Sequence, residues 1–187
     1  MKKNIKLWRE KSLFASIVVF FAAFGLFSLF YLNTPGTLGI GDQYFHFGFA
    51  EMIKKEGLAA GKNFDYIYLH PLTQSERGRG IELFNVALLP FTFFENSLLG
   101  LKLSAIFWAS AVIAILYYVL RKSKVPYASL FSLIFLMSFF PLFRILIGRG
   151  LVLIFGLILL EIFLASKKKY SAFFLIAFIH VLWHQAS

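Results

Sequence analysis

The chain has 187 residues, of which 59% are hydrophobic and 15% charged, with a mean hydropathy of +0.76 and a formal net charge of +10. A soluble domain of this length has too little interior to hide that much apolar surface, so the composition excludes an ordinary water-soluble enzyme and implies cover by lipid. Lys and Arg cluster in short segments between apolar runs, the pattern that orients membrane proteins, so the positive charge does not read as a nucleic-acid footprint. Cysteine is absent, which excludes a disulfide framework, a thiol nucleophile and a thiolate metal site.

Residues 1–12, MKKNIKLWREKS, form a basic segment that the positive-inside rule assigns to the cytoplasm. The uncharged run Leu13 to Leu32 follows and is long enough for one helix to cross a bilayer. It exceeds the apolar core of a cleaved signal and lacks a clear small-residue cleavage site, so it reads as an uncleaved anchor. Asn33-Thr34-Pro35-Gly36 then stops the helix and turns the chain.

Residues 33–97 form the first external loop and hold most of the polar chemistry. A short helix is expected over 42–57, with Asp42 as N-cap, Gly57 as C-terminal cap and Phe45, Phe49, Met52 and Ile53 as its apolar stripe. Asp42 and His46 are four residues apart and share one face of that helix. An N-cap carboxylate stays ionised beside the helix dipole, so capping is compatible with accepting a proton or binding a cation. Residues 58 to 80 read as irregular and include Arg77 and Arg79 in SERGRG, guanidinium donors beside glycines that allow close backbone approach. A second short helix is expected over 81–94, too short and too proline-marked at Pro90 to cross, and lying at the interface with Glu82, Asn85 and Asn96 on its polar side.

Four further apolar segments complete the expected spans: Leu98 to Leu120, Tyr127 to Phe143, Leu151 to Ala165 and Ser171 to Trp183. Placing the three basic clusters at residues 2 to 11, 121 to 124 and 167 to 169 on the cytoplasmic side gives five spans and an external C-terminus. The expected fold class is therefore all-α integral membrane, a single membrane domain over 1–187 with external juxtamembrane helices in the first loop. The chain stops at the end of an apolar helix, which reads as a truncated sequence. Arg144 and Arg149 occupy the short second external loop, where positive-inside statistics disfavour them and where they suit bidentate capture of a lipid phosphate. Glu161 is an acid within an apolar run, and pairing with Lys167 or Lys168 is its simplest account. His180 and His184 lie four apart near the outer end of the last span.

The pattern Asp42, Tyr44, His46, Ala50, Glu51, Ile53 just after the first span resembles the first external loop of oligosaccharyltransferase catalytic subunits in the GT-C superfamily. Three other features are similar to that superfamily: the surface helix ending Leu89-Pro90-Phe91, the arginine-bearing loop Arg144 to Gly150, and the last span ending Leu182-Trp183-His184-Gln185-Ala186-Ser187. The resemblance covers the front of such an enzyme. It implies a multi-pass membrane glycosyltransferase of the cell's inner or plasma membrane, moving a sugar from a polyprenyl-phosphate donor to an acceptor on the extracytoplasmic face. It further implies Asp42 and His46 as catalytic residues, Arg144, Arg149, Arg77 and Arg79 as lipid-phosphate ligands, and Tyr44, Glu51 and His184 as support. A divalent cation, Mg or Mn, is left open: Asp42 is the only ligand offered, because the second loop has no carboxylate and Gln43 follows Asp42 where related transferases place Asp-Glu. The competing reading is a non-enzymatic polytopic protein that binds lipid phosphates through its arginines. A transporter is disfavoured because the chain has no detectable internal repeat.

Overall fold

The computed structural model describes residues 2–37, 42–57, 83–138 and 151–183, with only the backbone described for the helical residues 2–11, 42 and 151. Every regular element among them is a helix: α1 (Lys2–Tyr31), α2 (Asp42–Glu56), α3 (Leu83–Ala87), a 3-10 helix (Leu89–Phe93), α4 (Ser97–Lys122), α5 (Ala128–Met137), α6 (Leu151–Ser166) and α7 (Tyr170–Trp183). Two of them are long and apolar enough to cross a bilayer, α1 through its stretch Ser12–Tyr31 and α4 along its whole length. The expected spans at Leu151 and Ser171 appear as helices of 16 and 14 residues, roughly 24 and 21 Å long against about 30 Å of hydrocarbon. That of Tyr127 to Phe143 is helical over 128–137, and its second half lies outside the described residues.

α4 is the central helix. Among the described residues α1 packs only on α4, while α4 also meets α6, α5, α2 and the 3-10 segment. Its buried positions include Leu101, Ala105, Ile106, Ala109, Val112 and Ile113, with alanines giving the close approaches and branched residues filling between them. The buried hydroxyls of Ser104 and Ser110 return to carbonyls of their own helix, at Leu101 and Ile106.

Side-chain contacts fix the helix directions. Lys102 near the start of α4 meets Leu32 and Thr34 beyond the end of α1, so these two helices run antiparallel. Gly156 of α6 lies against Val112 and Ile115, and Phe163 against Tyr118, so α6 runs parallel to α4. α7 returns along α6 and brings Trp183 to Trp108 in the first half of α4. The start of α1, the end of α4 and the end of α6 therefore share one pole of the bundle, and these are the ends that carry the basic segments.

Both basic turns after α4 and α6 close in the same way. Lys124 and Lys168 adopt positive φ (59° and 54°), with Val125 N–H donating to Leu120 O and Lys169 N–H to Leu164 O. This is the Schellman closure, made with lysine where glycine is usual.

The outward faces are apolar. Phe14, Phe21, Leu29 and Phe30 of α1 and Phe174, Leu175, Phe178 and Val181 of α7 are all exposed. An apolar groove of about 370 Å³ runs between α1 and α4, lined by residues that include Ile17, Phe20, Ala111 and Tyr118. Contiguous apolar surface of this kind is compatible with membrane association.

The expected helix over 81–94 is not formed as one piece. Leu88 N–H closes the last α-type bond to Phe84 O, and Phe91 N–H then bonds Leu88 O, a 3-10 step. The cause is Pro90, which has no N–H to continue the α ladder and sits in the first turn of the 3-10 helix. Of the expected polar side, Asn85 is buried, Asn96 caps α4 by accepting from Leu99 N–H at 3.1 Å, and Glu82 lies outside the described residues.

Candidate functional site

α2, α3 and the 3-10 helix form a layer over the pole where α1 ends and α4 begins. The seat is set by Gly100 in the first turn of α4. A Cβ there would lie 2.2 Å from Phe91 O and 3.0 Å from the Phe47 ring, so only glycine lets α2 and the 3-10 segment press onto the helix end. Phe47, Ala50 and Ile53 bury the inner face of α2, and Gly57 closes the helix with φ +72°, as expected for its C-terminal cap.

Two polar ties hold α2 down. Glu51 accepts from Ser97 Oγ at 2.7 Å, joining α2 to the start of α4. Lys54 donates to Thr92 O at 2.8 Å and lies 4.4 Å from the centre of the Phe93 ring. Glu51, expected as a supporting residue, therefore has a positional role that its spacing alone did not reveal.

His46 is the centre of the layer. Its Nδ1 lies 2.8 Å from Asn85 Oδ1 on α3, and its ring meets Phe84 edge-on at 5.2 Å. Since Asn85 offers an oxygen, Nδ1 carries the proton and Nε2 is left as an acceptor in the neutral ring. Phe84 in turn packs on Trp183, and Trp183 on Trp108, so an aromatic file runs from His46 into the bundle. The backbone of Asp42 opens α2 one turn before His46, which puts the two residues on one helix face.

Gln43, three residues before His46, is 2% exposed, and neither atom of its side-chain amide has a hydrogen-bond partner among the described residues. A buried unpaired amide is costly, and functional sites are where such groups persist. Tyr44 is exposed and its hydroxyl accepts from Thr37 Oγ1 at 3.3 Å. Among the described residues no three His, Asp or Glu side chains converge as a metal site.

The layer thus gathers Asp42, Gln43, Tyr44, His46 and Glu51 from α2. Arg77, Arg79, Arg144, Arg149 and His184 lie outside the described residues. Glu161 departs from expectation: it pairs with His180 of α7, at 2.8 Å from Nδ1, and not with Lys167 or Lys168. Lys167 instead lies over the Phe163 ring at 5.9 Å. Sequence reasoning missed Asn85 as a partner of His46 and Lys102 as a tie to α1. The available signal in both cases was a lone polar residue in an apolar run.

No family model, no curated protein and no solved structure matches the chain.

Proposed function

We propose that this chain is a multi-pass membrane glycosyltransferase of GT-C type that moves a sugar from an isoprenoid-phosphate donor to an acceptor on the extracytoplasmic face, its N-terminus being cytoplasmic. The observation that carries the reading is His46, held by Asn85 in a layer over the end of α1, one helical turn from Asp42. A fixed imidazole one helical turn from an aspartate, in a layer over the end of an apolar helix, suits proton removal from an acceptor. Asp42 acts as the base or orients the acceptor, and His46 supports it. Arg144 or Arg149, with Arg77 and Arg79, neutralises the leaving phosphate. The unpaired amide of Gln43 supports a ligand with both hydrogen-bond donors and acceptors, as sugar hydroxyls have.

The test is transfer of labelled sugar from an isoprenoid-phosphate donor by membranes carrying the protein. Asp42→Asn lowers transfer by roughly 10²–10⁴-fold on this reading. Undiminished transfer by that variant ends the catalytic assignment.

A second reading, capture of lipid phosphate without catalysis, draws support from Lys54 beside the exposed Phe93, an arrangement suited to a headgroup layer. It requires that binding of lipid phosphate fall in the Arg144→Ala and Arg149→Ala variants while Asp42→Asn changes nothing.

A further inference from the structure

The groove between α1 and α4 occupies the half of these helices nearest the basic pole. Its walls are apolar: Leu13, Ile17 and Phe20 of α1 stand opposite Ala111, Ala114 and Tyr118 of α4. Ser16 also lines it, but turns its hydroxyl back to Ser12 O at 2.9 Å. Phe107, one turn before Ala111, meets Phe20 edge-on at 5.4 Å and closes the inner end. From Leu13 to Phe20 the groove runs roughly 10 Å, against about 15 Å of hydrocarbon in one leaflet. Its volume of about 370 Å³ falls within the roughly 300–1,000 Å³ of small-molecule sites.

The mouth of the groove is cationic. Lys122 Nζ lies 5.7 Å from the centre of the Tyr118 ring, so an ammonium stands where the apolar wall ends. Arg121 is exposed and follows Tyr118 by three residues along the same side of α4. In the register of α1, Arg9 and Lys6 continue the line of the wall, four and seven residues before Leu13. Glu10 is the only acid between residues 2 and 12, against five cations.

This order, apolar walls one leaflet deep and then positive charge, matches a hydrocarbon chain that ends in an anionic head. A transmembrane helix needs a seat along about 30 Å, and the Phe20–Phe107 contact interrupts one here. A neutral phospholipid fills the walls but leaves the cations at the mouth unused.

We infer that the groove seats one acyl chain of an acidic glycerophospholipid of the inner leaflet, its phosphate held by Lys122 and Arg121. This inference rests on the reading that α1 and α4 cross a bilayer with the basic pole inside. It does not depend on the chemistry at Asp42 and His46, which belongs to the opposite pole.

The test places the full chain in phosphatidylcholine vesicles that contain a trace of phosphatidylglycerol bearing a photoreactive diazirine in its acyl chain. Matched vesicles carry the same group on phosphatidylcholine, and mass spectrometry locates the adducts. Phosphatidylglycerol should label 13–20 and 111–118 at least about tenfold over phosphatidylcholine, and Arg121→Gln and Lys122→Gln should each lower that preference roughly fivefold. Ala114→Phe should fill the groove and remove its adducts while sparing those on Phe174 of α7, which is exposed beside the basic turn at 167–169. Circular dichroism checks that each variant keeps its helicity.

An equal preference at Phe174 and in the groove would overturn the proposal, because general attraction to a basic surface would then suffice. So would a preference indifferent to both glutamine variants, or displacement of the label by an isoprenoid phosphate and not by unlabelled phosphatidylglycerol. Groove residues that take no adduct, being covered by other protein, would overturn it too. Alkaline carbonate extraction separates these failures from that of the membrane reading: a chain released by carbonate overturns both, and a chain that resists extraction yet shows any of these results overturns the lipid site alone.

Discussion

Lys102 of α4 donates from Nζ to the main-chain oxygen of Thr34 at 2.5 Å and reaches Leu32 O at 3.5 Å, so a buried cation sits in the turn just beyond the carbonyl end of α1. The last carbonyls of α1 carry the negative end of the helix dipole, and the ammonium beside them is favourably placed, with no acidic partner among the described residues. The same ammonium lies 5.7 Å from the Tyr31 ring centre. Lys102→Met keeps the stem and removes the charge. It should cost about 1–3 kcal/mol, the expense of leaving buried acceptors unpaired. Thermal unfolding in detergent checks this, and an unchanged midpoint would show that the contact contributes nothing.

Asn85→Leu should leave His46 Nδ1–H without its acceptor. The loss is again about 1–3 kcal/mol for a buried unsatisfied donor, added to a freer imidazole. Transfer should fall along with stability, whereas His46→Ala should remove activity with the smaller structural loss. Unfolding midpoints and transfer rates measured on the same preparations separate the two effects.

Gln43 gives the opposite pattern. Because both amide atoms are buried and have no partner among the described residues, Gln43→Leu removes a desolvated group and should be neutral or stabilising by up to about 1 kcal/mol. If the amide serves the ligand, KM should rise roughly five- to tenfold, the worth of one hydrogen bond. A variant both as stable and as active as the parent would remove Gln43 from the site.

Gly100→Ala tests the seat of the layer. Alanine favours helix by about 1 kcal/mol over glycine, yet here its Cβ would lie 2.2 Å from the Phe91 carbonyl, a main-chain atom with no rotamer to change. The clash should dominate, giving a net loss of about 1–3 kcal/mol and a displaced 3-10 segment. Protease cutting after Phe93 or Phe94 should become faster, and cutting no faster than in the parent would contradict the close approach.

The side of each turn is open to direct measurement. Alkaline phosphatase fused after Thr73 should be active on the extracytoplasmic side, and fusions after Ser123 and Lys168 should be inactive. Activity at both basic turns would invert the orientation proposed from the cations.

Helix positions are legible where apolar runs are long and ends are punctuated. α2 begins at Asp42 and closes at Gly57, and α4 ends in the basic turn after Lys122, because helix-ending residues act locally. The stretch over 81–94 misleads because its helical spacing is real but Pro90 cuts the ladder, and because Asn85 has its partner 39 residues away in sequence. Glu161 misleads for the same reason: nearby lysines are visible in sequence, while His180 becomes a neighbour only when α7 folds back on α6. Of the candidate site, the α2 residues stand out in the sequence, but the tertiary partners that fix their orientation do not.

The shared pole of α1, α4 and α6 has an electrical consequence. Lys2, Lys3, Lys6, Arg9 and Lys11 precede one helix's apolar stretch, Arg121, Lys122 and Lys124 end another helix, and Lys167, Lys168 and Lys169 end the third. An energised membrane that is negative inside would hold this pole at the inner surface. Carrying each charge across 100 mV against that field costs about 2.3 kcal/mol before any desolvation. On the proposed orientation, that cost opposes inversion of the bundle and keeps the His46 layer on the side away from the basic pole.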